Sequence, residues 1–263
     1  MMDSDKILAA KEGGVGRITF NNPERHNAMS LEMWQRTAEV LEDFSKDPAV
    51  RVVVLAGAGG KAFVSGADIS KFESERASAD AQKIYSDAVA SASEGLRNLP
   101  KPTVAQIQGY CLGGGLGLAI CADIRICSEN SRFAIPAAKL GIGYGHQGIG
   151  RLMELVGPSV AKDIFFTARQ YTAPQAYNCG LVNHVVPVEE LQTFVDDYAA
   201  TVAGNAPLTI AAVKQSVAEL LKDPAERDFA LAERMTQAAL GSQDFIEGRR
   251  AFMEKRKPNF QGR

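Results

Sequence analysis

The chain has 263 residues, 46% of them apolar and 23% charged, and 29 Lys and Arg against 31 Asp and Glu leave a net charge of −2. This composition excludes collagen-like, low-complexity and wholly disordered chains, and the charge offers neither a basic footprint for nucleic acid nor a polybasic membrane anchor. At roughly 100–200 residues per domain, the length allows one domain with an appendage or two small ones.

The N-terminus, Met1-Met2-Asp3-Ser4-Asp5-Lys6, has no apolar core and no Arg-rich face, so no secretion or transit signal is expected and a cytoplasmic location is. Gly16-Arg17-Ile18-Thr19-Phe20 reads as a strand ending at Asn21-Asn22-Pro23. Leu31, Trp34, Ala38, Leu41 and Phe44 recur at helical spacing behind a Ser30 N-cap. The β-branched run Arg51-Val52-Val53-Val54-Leu55 predicts a buried strand, and after an intervening helix Pro102–Ile107 predicts another. Further strands are expected at Asp123–Cys127 and Leu181–Val186. Strands alternating with helices imply an α/β layered fold with crossovers.

After Pro187 the pattern turns helical, over Glu189–Ala203, Pro207–Leu221, Pro224–Leu240 and Asp244–Glu254. The expected division is therefore 1–187 as an α/β core and 188–263 as a helical C-terminal region. The uncharged stretch from Thr103 to Ala122 is long enough to span a membrane, but its five glycines and two glutamines make it a buried strand, a glycine loop and a core helix.

Glycine is concentrated at Gly57–Gly66, Gly109–Gly117 and Gly141–Gly150, which predicts backbone that is closely approached or twisted to positive φ. Gly57-Ala58-Gly59-Gly60-Lys61-Ala62 and Gly143-Tyr144-Gly145-His146-Gln147-Gly148 look like dinucleotide fingerprints, but neither joins a strong strand directly to a helix. Cys111, Cys121, Cys127 and Cys179 form no C-x-x-C pair and read as buried thiols, not disulfides or zinc ligands. No metal site is expected, since His26, His146 and His184 lack ligand spacing. His26 and His184 read as loop or surface imidazoles, whereas His146 lies beside Tyr144 in a glycine cluster and is a candidate site residue.

The segment Gly109-Tyr110-Cys111-Leu112-Gly113-Gly114-Gly115-Leu116-Gly117 carries the strongest chemical pattern. A strand feeding three glycines and an apolar helix presents bare N–H groups suited to a developing oxyanion, or else simply permits tight packing. Phe63-Val64-Ser65-Gly66-Ala67-Asp68-Ile69 supplies a second such turn.

Those two turns, with Asn22-Pro23-Glu24-Arg25-His26-Asn27-Ala28-Met29-Ser30, Cys121-Ala122-Asp123 and the tail Phe252–Phe260, resemble the crotonase (enoyl-CoA hydratase/isomerase) superfamily over nearly the whole chain. The resemblance implies a repeated ββα spiral core, a C-terminal helical trimerisation region, and assembly as a homotrimer or dimer of trimers. It implies an acyl-CoA thioester as substrate, with coenzyme A entering as part of it and no separate cofactor. It also implies an oxyanion hole from the N–H groups of Ala67 and Gly114, and substrate contacts from Arg25, Ala28, Ala67, Asp68, Ile69, Gly114, Lys257 and Phe260.

Hydratases of that family use two glutamates to activate water and pass a proton, and the corresponding positions here are Gly117 and Ala137. Several segments, including Leu140–Gly145 and Gly180–Val186, are similar to the methylmalonyl-CoA decarboxylases, with Tyr144 at a matching tyrosine. Those enzymes have a histidine at the place of Ala67 and a glutamate near Leu116-Gly117. Loss of CO₂ from a malonyl-type thioester needs donors for the enolate oxygen and no base, so Ala67, Gly114, Tyr144 and His146 are the expected catalytic set of a lyase. The alternatives are a hydratase or isomerase with His146 or Tyr144 as its acid or base, a thioesterase, and a non-catalytic acyl-CoA-binding or RNA-binding relative.

Overall fold

The computed structural model describes residues 4–71 and 77–263. Strands β1 (Ile7–Glu12) and β2 (Val15–Phe20) form an antiparallel hairpin. Helix α1 (Leu31–Lys46) follows the expected cap, the Ser30 hydroxyl accepting from Met33 N–H at 3.3 Å. Strands β3 (Val52–Gly57) and β4 (Ala62–Val64) then lead to helix α2 (Ala79–Arg97). The pattern recurs as β5 (Thr103–Ile107), β6 (Tyr110–Leu112) and α3 (Gly114–Ala119). It recurs again as β7 (Ile124–Ser128), β8 (Arg132–Ala134), α4 (Ala137–Leu140) and α5 (His146–Thr167). Next come β9 (Tyr171–Thr172), α6 (Ala173–Asn178) and β10 (His184–Val186). Helices α7 (Leu191–Gly204), α8 (Pro207–Leu220), α9 (Phe229–Leu240) and α10 (Gln243–Met253) complete the chain.

In each repeat the long strand enters one sheet and the short strand another. The six-stranded sheet runs β1-β2-β3-β5-β7-β10 and the four-stranded sheet β4-β6-β8-β9, with β3, β5 and β7 parallel in one and β4, β6 and β8 parallel in the other. This is the α/β, repeated ββα spiral that the resemblance implied.

The strand at Val52 reads as an unbroken β-branched run because both of its faces are covered. Val53 and Leu55 face the main core with Phe20, Trp34, Phe44 and Leu96. Val52 and Val54 join Val104 and Ile126 against Leu191, Val195 and Ala199 of α7. At roughly 1.5–3 kcal/mol for each large side chain removed from water, two-sided burial makes this sheet the rigid frame on which the loops sit. Helix α7, which begins past residue 187, thus covers one face of that sheet. Ion pairing of Lys214 with Asp123 at 2.7 Å and donation from Arg51 to Phe260 O at 2.7 Å tie the later helices and the tail to the core.

Several sequence expectations need correction. The Leu181–Val186 strand pairs only over β10, and its first residue, His184, is half-buried against Phe194 and Tyr198 at ring separations of 5.4 and 6.0 Å, not a loop or surface imidazole. In the third glycine cluster only Gly141 has a positive φ, and a Cβ at Gly143, Gly145 or Gly150 would meet nothing within 4 Å. Most of the cluster is thus the exposed entry to α5, and close approach is confined to Gly148, where a Cβ would stand 2.6 Å from the Tyr144 ring. Among the described residues no helix is long and apolar enough to cross a membrane, and no group of three His, Cys, Asp or Glu could hold a metal ion. Helices α8–α10 leave Val213, Val217, Phe245 and Phe252 in the open around an apolar groove of about 660 Å³, with Met253 exposed next to Phe252 in the chain.

Candidate active site

The turn after β4 is held by the segment that precedes α1. Ser65 N–H donates to His26 O at 3.1 Å, Met29 N–H to Gly66 O at 2.8 Å, and Asp68 N–H to Met29 O at 2.9 Å. In this one-residue parallel bridge between Met29 and Ala67, the flanking residues make the bonds and the Ala67 N–H turns the other way. Asn27, fully buried at positive φ, pins the segment by donating to Ala58 O at 3.0 Å and Ala62 O at 2.7 Å.

The turn after β6 is built by glycine. Gly113 adopts φ 52° and ψ −120°, a conformation open to glycine alone, and its N–H donates to Ala134 O at 2.8 Å. A Cβ on Gly115 would stand 2.2 Å from Val64 O, so only glycine lets α3 seat against β4. Because β4 and β6 are parallel neighbours, the two turns leave the sheet side by side. They touch: a Cβ on Gly113 would lie 3.8 Å from Gly66 Cα, and one on Gly66 3.5 Å from Leu112 O. Among the described residues, neither the Ala67 nor the Gly114 N–H has an acceptor. Two N–H groups without an acceptor thus stand on abutting turns. With α3 only six residues long, the donors themselves matter more than any helix dipole.

Tyr144 occupies a slot between two glycines. A Cβ on Gly117 would stand 3.0 Å from its hydroxyl and one on Gly148 2.6 Å from its ring, while Phe165 packs edge-on at 4.9 Å. Burial pushes the phenol up to about 12, assisted by the Cys121 thiol and opposed by the Arg151 charge. No hydrogen-bond partner for the hydroxyl is found among the described residues. Ala137 is buried and carries no functional group. Cys121 donates to Gly117 O at 3.2 Å and accepts from Arg151 Nη1 at 3.4 Å; burial raises its pKa, so it remains a thiol. Arg151 has no carboxylate in ion-pair range among the described residues, since Glu154, one turn along α5, pairs with Arg97 at 3.2 Å. It was absent from the expected site residues because the sequence placed no helix there.

Of those expected residues, the fold brings Arg25, Ala28, Ala67, Asp68 and Ile69 together on one side and Gly114 on the other. The Asp68 carboxylate accepts from Ser70 N–H at 3.1 Å, Ser70 Oγ at 2.6 Å and Arg25 at 3.4 Å, which makes it the organiser of its own turn. Ile69 is exposed. His146 is the exposed first residue of α5. Lys257 is exposed, and the Phe260 ring lies against Gly248 of α10, 3.4 Å from where a Cβ would stand. The tail is held there by Glu247, which accepts from Arg256 and from Asn259 N–H at 2.9 Å, and by Asp244, which accepts from Gln261 N–H at 2.6 Å.

A family model described as Enoyl-CoA hydratase/isomerase matches residues 10–263. The chain is 33% identical over 265 residues to a crotonyl-CoA hydratase from Syntrophomonas wolfei, covering 98% of this chain and 99% of that protein. It is likewise 33% identical to the carnitinyl-CoA dehydratase of Escherichia coli, covering 99% and 100%. Among solved structures, that of an enoyl-CoA hydratase/carnithine racemase from Magnetospirillum magneticum superposes with a TM-score of 0.94 at 36% identity, covering 98% of this chain and 96% of that one. None of these three is named a decarboxylase, and they do not show the expected likeness to that branch.

Proposed function

The chain belongs to the enoyl-CoA hydratase/isomerase family, and on that footing we propose that it is an acyl-CoA lyase that releases CO₂ from a malonyl-type thioester. The observation that carries this reading is the Tyr144 phenol, which stands beside Gly117 where a carboxylate side chain would begin. With its pKa pushed up to about 12, it is a neutral proton donor at physiological pH and not a base for water. The thioester oxygen sits between the Ala67 and Gly114 N–H groups. The Cα–carboxylate bond breaks, CO₂ leaves, and the electron pair forms an enolate whose oxygen those two donors stabilise. Tyr144 then gives its proton to the α-carbon, a far weaker acid than a phenol, and water restores the hydroxyl. The net change consumes one proton and leaves the shortened acyl-CoA. Removing one good oxyanion donor costs on the order of 10²–10³ in rate, so backbone donors alone support substantial catalysis. The unpaired charge of Arg151 favours an acyl group that carries a carboxylate.

A second reading, hydration or dehydration of an enoyl thioester, is supported by the names of the two curated relatives and requires Tyr144 or His146 to stand in for the glutamates. We assign Lys257 and Phe260 to the nucleotide end of coenzyme A, and the apolar face of α8–α10 to self-association as a trimer or dimer of trimers. No cofactor beyond the substrate's own coenzyme A enters the scheme. The test is CO₂ release from malonyl- and methylmalonyl-CoA. Tyr144→Phe should cut it by at least about tenfold with acetyl-CoA affinity unchanged. An unaltered rate in that variant, or no CO₂ from either substrate with the wild type, overturns the reading.

A further inference from the structure

We infer that Trp34 and Tyr85 form a buried buttress that fixes the separation of the two oxyanion donors, acting as positioning residues for the reaction. The inference rests on the reading of Ala67 and Gly114 as the hole.

The two donors belong to different turns, so their spacing is set by whatever holds one turn against the other. Behind Gly114 stands Trp34 of α1, only 1% exposed, with its ring carbon Cζ2 3.3 Å from where a Cβ on Gly114 would lie. That contact accounts for glycine at 114, which has no positive φ to require it. A buried indole N–H needs an acceptor, and Trp34 Nε1 donates to the Tyr85 hydroxyl of α2 at 3.0 Å. The phenol, 3% exposed, uses its own proton toward Met29 O at 3.5 Å. Met29 O is the same carbonyl that accepts from Asp68 N–H, and Met29 N–H bonds Gly66 O. A continuous series of contacts therefore runs from Gly114 through the indole, the phenol and the Met29 peptide to the residues on either side of Ala67.

Trp34, Tyr85 and Met29 are all in the core, where packing leaves little slack and a displacement at one end is felt at the other. The phenol is the joint, accepting from one half and donating to the other. Losing its hydroxyl leaves the indole N–H and one lone pair of Met29 O without their partner, and frees the two turns to drift. A misplacement of about 1 Å at a catalytic group costs on the order of 10²-fold, and a few tenths of an ångström correspondingly less.

The experiment uses the full-length protein and a non-reacting conjugated dienoyl-CoA, whose absorbance moves to the red as donors polarise its carbonyl. Wild type should show the shift. Tyr85→Phe should lose about half of it while dienoyl-CoA affinity stays within about threefold, and kcat for CO₂ release should fall about tenfold with KM nearly unchanged. Trp34→Phe should behave alike, and the double variant should be no worse than the worse single, because the two act in series. Should Trp34→Phe fail to fold, Tyr85→Phe alone carries the test. A wild-type red shift and kcat in folded Tyr85→Phe overturn the buttress, as does a loss of kcat that merely tracks the folded fraction. A red shift in wild type without CO₂ release refutes decarboxylation and leaves the buttress standing; no shift in wild type refutes the hole and the buttress together.

Discussion

Alanine at Gly117 tests whether this position is the seat of the Tyr144 hydroxyl. The new methyl would stand 3.0 Å from the phenol oxygen, so the ring must yield by a few tenths of an ångström, and Phe165 at 4.9 Å stands against it. Gly117 lies inside α3 without positive φ, so alanine there should otherwise gain roughly 1 kcal/mol of helix propensity. Overpacking costs about 1–3 kcal/mol, so in the wild-type background the two effects cancel or the substitution destabilises. In a Tyr144→Phe background the oxygen is gone and the helical gain should appear in full. For a chain of this size, that gain is a rise in Tm of about 2–4 °C. Denaturation of the four proteins at one fixed concentration should give a coupling of about 1–3 kcal/mol. CO₂ release by Gly117→Ala should fall even where its stability matches wild type, because the displaced phenol no longer meets the α-carbon. Equal stabilisation in both backgrounds would refute the placement and the role drawn from it.

Wild type should hydrate crotonyl-CoA poorly, and Gly117→Glu with Ala137→Glu and Tyr144→Phe should raise hydration measurably once folding of the variant is verified by circular dichroism. Brisk wild-type hydration would defeat the argument from the two missing carboxylates. The kcat for CO₂ release should have no alkaline limb below about pH 10, because the active donor is the protonated phenol and is lost only as pH rises toward 12; a decline centred near pH 8 would point to another acid. The raised phenol pKa also means that stability is contributed below the unfolded value of 10 and lost between 10 and about 12, visible as a Tm that drops over that window and not below it. Phe252→Ser with Met253→Ser, at side chains 83% and 80% exposed, should yield smaller species in sedimentation. Arg151→Met should reduce the preference for malonyl-CoA over acetyl-CoA by about tenfold, or ~1.4 kcal/mol, in direct binding; an unchanged preference removes Arg151 from substrate selection.

The strands at Val52 and Val104 were legible because two-sided burial demands unbroken apolar β-branched runs, and α1 because Ser30 and the spacing of Trp34, Leu41 and Phe44 satisfy a cap and one helix face together. The four-stranded sheet was not, since β4, β6 and β8 have three residues each and a period of two cannot declare itself in three. The start of α5 was hidden by Gly148 and Gly150, poor helix formers whose presence is explained in part by the Tyr144 ring against Gly148. The two glycine turns were legible as sources of bare N–H groups, but Ala67 and Gly114 within them came only from the family resemblance. The partners that align them, Met29, Trp34 and Tyr85, looked like ordinary core residues, and nothing in sequence spacing says that one phenol bridges two turns.

The division of labour in the site follows from the same asymmetry. The donors proposed to stabilise an enolate are peptide N–H groups, and they exist wherever the fold makes the two turns touch: the glycines at 113 and 115 are required by conformation and close approach, whatever the reaction. The proton chemistry depends on side chains that project into the space beside the hole, and the fold has no stake in what they are. Gly117 and Ala137 leave that space without a carboxylate, and the room that Gly117 vacates is taken by a phenol from a different repeat of the spiral. On the proposed reading the chain keeps the fold of its family while a neutral acid stands where the resemblance implies a base, and that exchange favours reactions that generate the enolate by losing a group over those that begin by activating water.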